Sequence, residues 1–186
     1  MSVTAYKTPG TCASVPNAGT AWSNPNNAKT SDDAYASCPL PKLGNKEAIS
    51  DWLRATNFGF DGVGGVPAGA TINGFDVKIE HKASAVSVIT DFYLFLRKTS
   101  GQVGSSKASA SYWPTSDAEV TYTWAAGEFG GLTAAEIRDS GFGVDLAALN
   151  GDSINTQTAY VDCISIRVYY TEVVPFKNYY PHILAH

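Results

Sequence analysis

The 186-residue sequence is poor in charged residues and has no long apolar run. Charged side chains make up 16% of the chain, and its formal net charge is −4. A weakly acidic chain argues against nucleic-acid binding, which favours a basic patch. No segment approaches the roughly 18 consecutive apolar residues of a membrane-spanning helix, so no membrane association is expected. Residues 1–30 lack a basic segment followed by an apolar run, so we expect synthesis in a cytosol without a signal peptide.

Cysteine is scarce, with Cys12, Cys38 and Cys163 as its three positions. Their spacings match no zinc-binding motif. Cys163 lies in a strand-like run, which predicts a small side chain in the core. Cys12 and Cys38 could form a disulfide, but folding in a cytosol favours free thiols.

The common catalytic and cofactor motifs are also missing. There is no Gly-x-Ser-x-Gly nucleophile turn. Residues 62–67 (GVGGVP) place Pro67 where a dinucleotide-binding loop needs its third glycine, and residues 101–107 (GQVGSSK) lack the Gly-Lys-Ser/Thr end of a phosphate-binding loop. The sequence therefore predicts no cofactor, and the chain is not expected to be an enzyme.

Metal and acid–base candidates depend on residue type alone. His81 is predicted to lie at a strand end near a sheet edge, and Pro181 argues against a helix that would align His182 with His186. No metal site is predicted from the histidines. A pair of catalytic carboxylates would have to come from six aspartates, which are usually solvated on strand faces: Asp32, Asp33, Asp76, Asp91, Asp145 and Asp162. Asp32, Asp33 and Asp162 could bind Ca²⁺, whereas the simpler alternative for Asp32 or Asp33 is an Asx turn.

Short segments of alternating polarity are abundant. In residues 71–81, Phe75, Val77 and Ile79 alternate with charged residues, which predicts a strand with one buried face. Residues 86–97 differ, because Tyr93 and Phe95 make the second face apolar too. That strand is either covered on both sides or presents aromatic side chains to a partner. Further strands are predicted within residues 33–38, 52–60, 119–124, 141–147 and 161–171.

One helix is predicted, at residues 133–140, where Thr133 and Glu136 fit a capping box. Parallel strands would need helices between them, and those helices are missing. The sequence therefore predicts an all-β fold, an antiparallel jelly-roll-like β-sandwich with one short helix.

The chain divides into three segments. Residues 1–20, rich in Thr, Ser, Pro, Gly and Ala, are predicted to be an N-terminal arm, and residues 21–171 the β-sandwich domain. Residues 172–186 form a tail that two prolines interrupt and that carries apolar residues, which predicts attachment to a partner or to its own domain. The predicted partner-binding residues are Val174, Phe176, Tyr179, Tyr180, Ile183 and Leu184.

Several motifs together resemble a known domain. They include residues 22–25 (WSNP), 32–36 (DDAYA), 53–60 (LRATNFGF) and 66–77 (VPAGATINGFDV), followed by Trp113-Pro114 and residues 142–144 and 161–170. The chain resembles a β-sandwich (jelly-roll-like) domain that recurs in bacteriophage virion structural, decoration and fibre proteins and in some bacterial surface proteins. The resemblance covers residues 20–171 and implies a structural or adhesive role without catalytic residues.

Two functional hypotheses follow. The first is a bacteriophage virion structural protein, an accessory, decoration or fibre component of head, collar or tail. It would be made in the host cytoplasm, reside in the virion as an oligomer or repeated copies, and bind other virion proteins through its termini. The alternative is a carbohydrate- or receptor-binding adhesion module, since jelly rolls host such sites. Its glycan would stack on exposed aromatic residues, for which the candidates are Tyr93, Phe95, Tyr112, Trp113 and Trp124; core packing is the competing explanation for each.

Overall fold

The computed structural model describes residues 1–45 and 48–173. It contains ten strands, one helix α1 (Ala134–Ile137) and a 3-10 turn (Pro25–Ala28). The strands are β1 (Ser2–Val3), β2 (Thr11–Val15), β3 (Ala36–Leu40), β4 (Trp52–Thr56), β5 (Thr71–Ala83), β6 (Ile89–Lys98), β7 (Gly101–Val103), β8 (Ala118–Trp124), β9 (Gly143–Asn150) and β10 (Gln157–Thr171). None of the helices in this part of the chain is both long and apolar enough to cross a membrane.

The strands form two antiparallel sheets, which we call sheet A and sheet B. In sheet A, β10 lies between β5 on one side and β1 and β3 on the other, and β8 pairs with the far edge of β5. Sheet B has the order β2-β4-β9-β6-β7. The two sheets face each other across one hydrophobic core. The predicted antiparallel β-sandwich with one short helix is confirmed.

The alternating pattern decides which side chains enter the core. Phe75, Val77 and Ile79 of β5 are fully buried, and the residues between them point to the outside of sheet A. In sheet B, Leu53 of β4 packs opposite Leu146 of β9, which in turn lies opposite Leu94 of β6. Each inward row is apolar because every second residue of the strand faces the other sheet.

The helix begins where its capping box predicts. The Thr133 side chain accepts a hydrogen bond from the Glu136 backbone, and the Glu136 carboxylate accepts one from the Thr133 backbone. Hydrogen bonds from Lys98 and from the backbone N–H and hydroxyl of Thr133 hold the pKa of Glu136 at about 2, well below its usual value. The helix is one turn long, because Arg138 is already its C-terminal cap.

The N-terminal segment is part of both sheets. Residues 2–3 pair with β10 in sheet A, and residues 11–15 pair with β4 in sheet B. Residues 1–20, which were expected to form an arm, therefore connect sheet A to sheet B. The tail residues Val174, Phe176, Tyr179, Tyr180, Ile183 and Leu184 lie outside the described residues, so their attachment role stays a prediction.

All three cysteines are free thiols. Cys12 and Cys38 are buried, and burial raises the pKa of each thiol to about 12. Cys163 is only half-buried, so its predicted place in the core is wrong. The register shift of β10 between Val161 and Cys163 interrupts the alternation that would have turned this side chain inward.

A polar network lies inside the core, centred on Asp91 of β6. Its carboxylate accepts hydrogen bonds from the Trp113 indole (2.8 Å), the Tyr122 hydroxyl (2.8 Å) and the Ser109 backbone N–H (2.9 Å). His81 stacks on Trp113 with ring centroids 4.2 Å apart and an interplanar angle of 2°. His81 is 2% exposed, so its predicted position at a sheet edge is wrong. Strand β5 continues past it to Ala83 and the loop that carries Trp113 covers it.

The buried imidazole of His81 makes stability depend on pH. Neither of its ring nitrogens has a hydrogen-bond partner among the residues that the structure describes. Burial lowers its pKa below the ordinary value of 6.5, although Asp91 partly opposes that shift. Below pH 6.5 the unfolded chain therefore binds a proton that the folded chain does not. We expect the free energy of unfolding to fall with decreasing pH in this window, by up to about 1.4 kcal/mol per pH unit.

The matched variant for this prediction is His81→Phe, which keeps an aromatic ring on Trp113 and removes the titrating group. Urea unfolding between pH 4.5 and 7.5 should give a flatter profile for the variant, since every other titrating group is common to both proteins. Parallel profiles for the two proteins would show that His81 is not held neutral in the core.

Candidate functional site

The outer face of sheet B carries a row of aromatic side chains. Leu53 and Ala55 of β4 face the core, so Trp52 and Arg54 face outward. On β6, Leu94 and Leu96 face the core, and the alternation turns Tyr93 and Phe95 outward. Strand β9 lies between β4 and β6 and brings the two sets of outward side chains together. Two segments distant in sequence therefore share one surface.

The aromatic cluster consists of Trp52, Phe92, Tyr93 and Phe95. The Trp52 ring centroid lies 5.8 Å from that of Tyr93 and 6.4 Å from that of Phe95, and Tyr93 lies 5.7 Å from Phe95. The pairing of β6 with β9 shifts between Asp91 and Tyr93, which leaves Phe92 unpaired, with its ring 4.3 Å from that of Tyr93. The bulge thereby adds a fourth ring to the surface.

A small residue underlies the cluster and leaves it accessible. Ala147 of β9 is paired with Tyr93, and the adjoining register places Trp52 on its other side. An alanine side chain cannot cover the neighbouring rings, and Tyr93 remains 39% exposed. A cleft of about 340 Å³ adjoins the cluster, lined by Asn17, Ala18, Ile49, Phe92 and Tyr93. The cluster thus combines ring surface with an adjacent hollow, the composition typical of a ligand site.

A charged cluster of Arg54, Arg97, Gln102 and Asp145 lies beside the rings. The Asp145 carboxylate is fully buried and accepts two hydrogen bonds from Arg54, at 2.8 Å from Nε and 3.1 Å from Nη2. Gln102 donates to the same carboxylate at 3.2 Å, and Nε of Arg97 lies 3.5 Å from it. Because Asp145 is opposite both Arg54 and Phe95 in the sheet register, the charged and aromatic clusters adjoin.

Arg97 is the buried arginine of the charged cluster. Its Nη1 donates to the Gly141 carbonyl at 2.7 Å. Burial lowers the pKa of Arg97, and Asp145 opposes that shift. Paired in this way with Asp145, the buried guanidinium keeps its charge.

The outer face of sheet A is also rich in tyrosine, but there the protein itself occupies the ring faces. Lys78 and Arg167 lie over the Tyr6 ring at 4.6 and 4.8 Å from its centroid, and Lys82 lies over Tyr35 at 3.8 Å. These cations fill the faces on which an apolar ligand surface would stack.

The carboxylate of this face is occupied as well. Burial alone would raise the pKa of Asp76, yet hydrogen bonds from Thr123, Arg167 and Tyr169 lower it. The tyrosine rings and the carboxylate on the outside of sheet A are therefore already bound by other side chains of the protein. The aromatic surface considered as a ligand site is that of sheet B.

The structure separates the five aromatic residues predicted to bind a ligand. Tyr93 and Phe95 lie in the aromatic cluster. Tyr112 is 57% exposed in the loop between β7 and β8 and makes no ring contact with the cluster, so its role stays a prediction. Trp113, 2% exposed, lies in the core with its indole bound to Asp91, and Trp124 is fully buried. The two tryptophans pack in the core, which was the competing explanation.

Sequence reasoning missed Trp52 and Phe92. The Trp52 position was readable, because the pattern Trp52-Leu53-Arg54-Ala55 alternates and puts the tryptophan and the arginine on the face opposite the leucine. The outward turn of Phe92 depends on a bulge that no local pattern predicts.

The aspartates considered for catalysis do not converge. Asp76 lies on the outside of sheet A, Asp145 on the outside of sheet B, and Asp91 in the core between them. Asp162 accepts hydrogen bonds from the backbone N–H groups of Asp32 and Asp33, at 3.4 and 3.3 Å.

The Ca²⁺ alternative lacks a ligand set. Asp32 accepts from the Ala34 backbone at 3.1 Å, which is the Asx turn that the simpler alternative predicts. Over residues 1–45 and 48–173, no three His, Cys, Asp or Glu side chains come close enough together to hold a metal ion.

Comparisons with known proteins give folds but no family. No protein-family model and no curated protein matches the chain. Similar solved structures include a CBM4 domain (14% identity, TM-score 0.43, 90% of this chain and 94% of that chain). The N-terminal cellulose-binding domain of Cellulomonas fimi β-1,4-glucanase C has 14% identity and a TM-score of 0.38 over 93% of this chain and 90% of that one. The CBM22-1 xylan-binding domain of Paenibacillus barcinonensis Xyn10C has 11% identity and a TM-score of 0.39 over 92% and 97%. These identities and TM-scores are too low to carry what those domains bind over to this chain.

Proposed function

We propose that the chain is a non-catalytic carbohydrate-binding module and that its glycan lies on the outer face of sheet B. The observation that carries the proposal is the aromatic cluster of Trp52, Phe92, Tyr93 and Phe95, with ring centroids 4.3 to 6.4 Å apart between contacting rings. Sugar rings have apolar C–H faces and polar edges. Tyr93 is exposed and the other three rings are half-buried. A surface of partly exposed aromatic rings with hydrogen-bonding groups beside it matches both parts.

The charged cluster supplies the polar part of this surface. Arg54 and Gln102 are held by Asp145, so their donor groups are oriented before a ligand arrives. A pre-oriented donor costs less conformational entropy on binding than a free side chain does. The sheet positions both clusters rigidly, since β4, β9 and β6 are neighbouring strands in one ladder.

Replacing Trp52 with alanine tests the proposal. Trp52 contacts two other rings of the cluster, so its loss removes stacking surface and leaves Tyr93 and Phe95 less supported. We expect the variant to bind its best ligand on an array of defined oligosaccharides at least about tenfold more weakly than the unchanged protein.

Tyr160→Ala is the matched control, because Tyr160 is a half-buried aromatic residue on the outside of sheet A. It should bind as the unchanged protein does. Failure of the unchanged protein to bind any oligosaccharide, or equal binding by Trp52→Ala, would contradict the proposal.

A virion role is the other hypothesis. Neither the described residues nor the comparisons support it, and the segment on which it depends most, residues 174–186, lies outside the described part of the chain. Location in a virion and association with virion proteins or further copies of the chain stay predictions from the resemblance.

A further inference from the structure

The aromatic face carries one excess positive charge. Among the residues that β2, β4, β9, β6 and β7 direct outward, the charged ones are Arg54, Arg97 and Asp145. Two guanidinium groups against one carboxylate leave a single positive charge on this surface. The whole chain has a net charge of −4, so the sign of this face is opposite to that of the protein.

Arg54 has hydrogen-bonding capacity to spare. A guanidinium has five N–H donors, and Arg54 uses Nε and Nη2 on Asp145. Its Nη1 has no partner in residues 1–45 and 48–173, and the side chain is 29% exposed. The unused edge of the guanidinium is therefore available to a ligand next to Trp52, two residues away on the same strand face.

Asp145, the only carboxylate that these five strands direct outward in the described part of the chain, has no such capacity. Asp145 is fully buried and already accepts from Arg54 and Gln102, with Arg97 close by. Hydroxyl groups of a neutral sugar both donate and accept, and they favour sites that offer carboxylate acceptors as well as donors. A surface that offers a free guanidinium edge and no free carboxylate is instead complementary to an anion.

We infer that the ligand is an acidic saccharide, with a carboxylate or sulfate group that Arg54 binds while the sugar ring stacks on the aromatic cluster. The inference rests on the proposed function and names the ligand class of the same site. Asp145 acts through Arg54 as a positioning residue, because its two hydrogen bonds fix the plane of the guanidinium. A guanidinium fixed in this way matches the planar geometry of a carboxylate.

Calorimetric titration of the full chain with tetragalacturonate and with its methyl ester tests the inference. The two saccharides share their sugar rings and differ in charge. We expect the acid to bind at least about tenfold more tightly than the ester at low ionic strength, with the difference shrinking at high ionic strength. Dextran sulfate and dextran form a second pair, which distinguishes sulfate from carboxylate as the recognised group.

Arg54→Gln should abolish the preference for the charged member of each pair. Lys78→Gln, which removes a cation from the outside of sheet A, should leave it unchanged. Equal binding of the charged and uncharged members overturns the inference but leaves the proposed function intact, whereas binding of no saccharide overturns both. The comparison of acid and ester on the unchanged protein decides the question even if Arg54→Gln does not fold.

Discussion

Replacing Asp91 with alanine is expected to lower the free energy of unfolding by about 3–5 kcal/mol. The carboxylate is 7% exposed and accepts from the Trp113 indole, the Tyr122 hydroxyl and the Ser109 backbone. Its removal leaves the buried Trp113 and Tyr122 donors and the half-buried Ser109 N–H without this partner, and each buried unsatisfied donor costs about 1–3 kcal/mol. Urea unfolding followed by tryptophan fluorescence measures the loss.

Two further variants separate the hydrogen bonds from the volume that alanine removes. Asp91→Asn keeps the shape but turns an amide donor toward at least one of the existing donors, so it should also destabilise strongly. Tyr122→Phe removes one donor and leaves Asp91 with two partners, and a loss of only about 1–1.5 kcal/mol is expected. Similar losses for Tyr122→Phe and Asp91→Ala would contradict a network centred on the carboxylate.

The strands that are easiest to predict from the sequence have one face in the core and the other face in solvent. Strand β5 has apolar Phe75, Val77 and Ile79 on one side and charged residues on the other, so its period of two is visible without the fold. The capping box at Thr133 is equally local, because both of its hydrogen bonds join residues three apart. Strands β1 and β2 carry few large apolar residues, and their pairing is supplied by β10 and β4.

The candidate site could be predicted only in part, because its members meet through long-range pairing. Tyr93 and Phe95 stand out in the sequence because they are apolar residues on the strand face that alternation turns away from the core. Trp52 joins them through β9, which lies between β4 and β6 and comes later in the chain than either. Trp113 occupies a turn-like polar segment, and its burial depends on distant Asp91 and His81. Local composition contains no information about such partners.

Replacing Gly143 with alanine is the second change with a large expected effect. Gly143 lies in β9 with Thr56 of β4 on one side and Arg97 of β6 on the other. A Cβ atom there would overlap the carbonyl oxygen of Ala55 and crowd the Thr56 Cα, both of which belong to the β4 backbone. Backbone atoms cannot rotate away as a side chain does, so β4 and β9 would have to separate. We expect the free energy of unfolding to fall by about 3 kcal/mol, which is at the upper end of the usual cost of overpacking.

Gly62→Ala is the matched control, because the same substitution there meets no atom closer than 3.7 Å and no left-handed backbone. It should be neutral or stabilise slightly, through reduced freedom of the unfolded chain. Separation of β4 from β9 would also move Arg54 away from Asp145, since these two residues are paired across the same strands. Gly143→Ala should therefore weaken saccharide binding even where the variant remains folded, while Gly62→Ala should not. A variant as stable as the unchanged protein in urea would mean that β4 and β9 are not in close contact at Gly143.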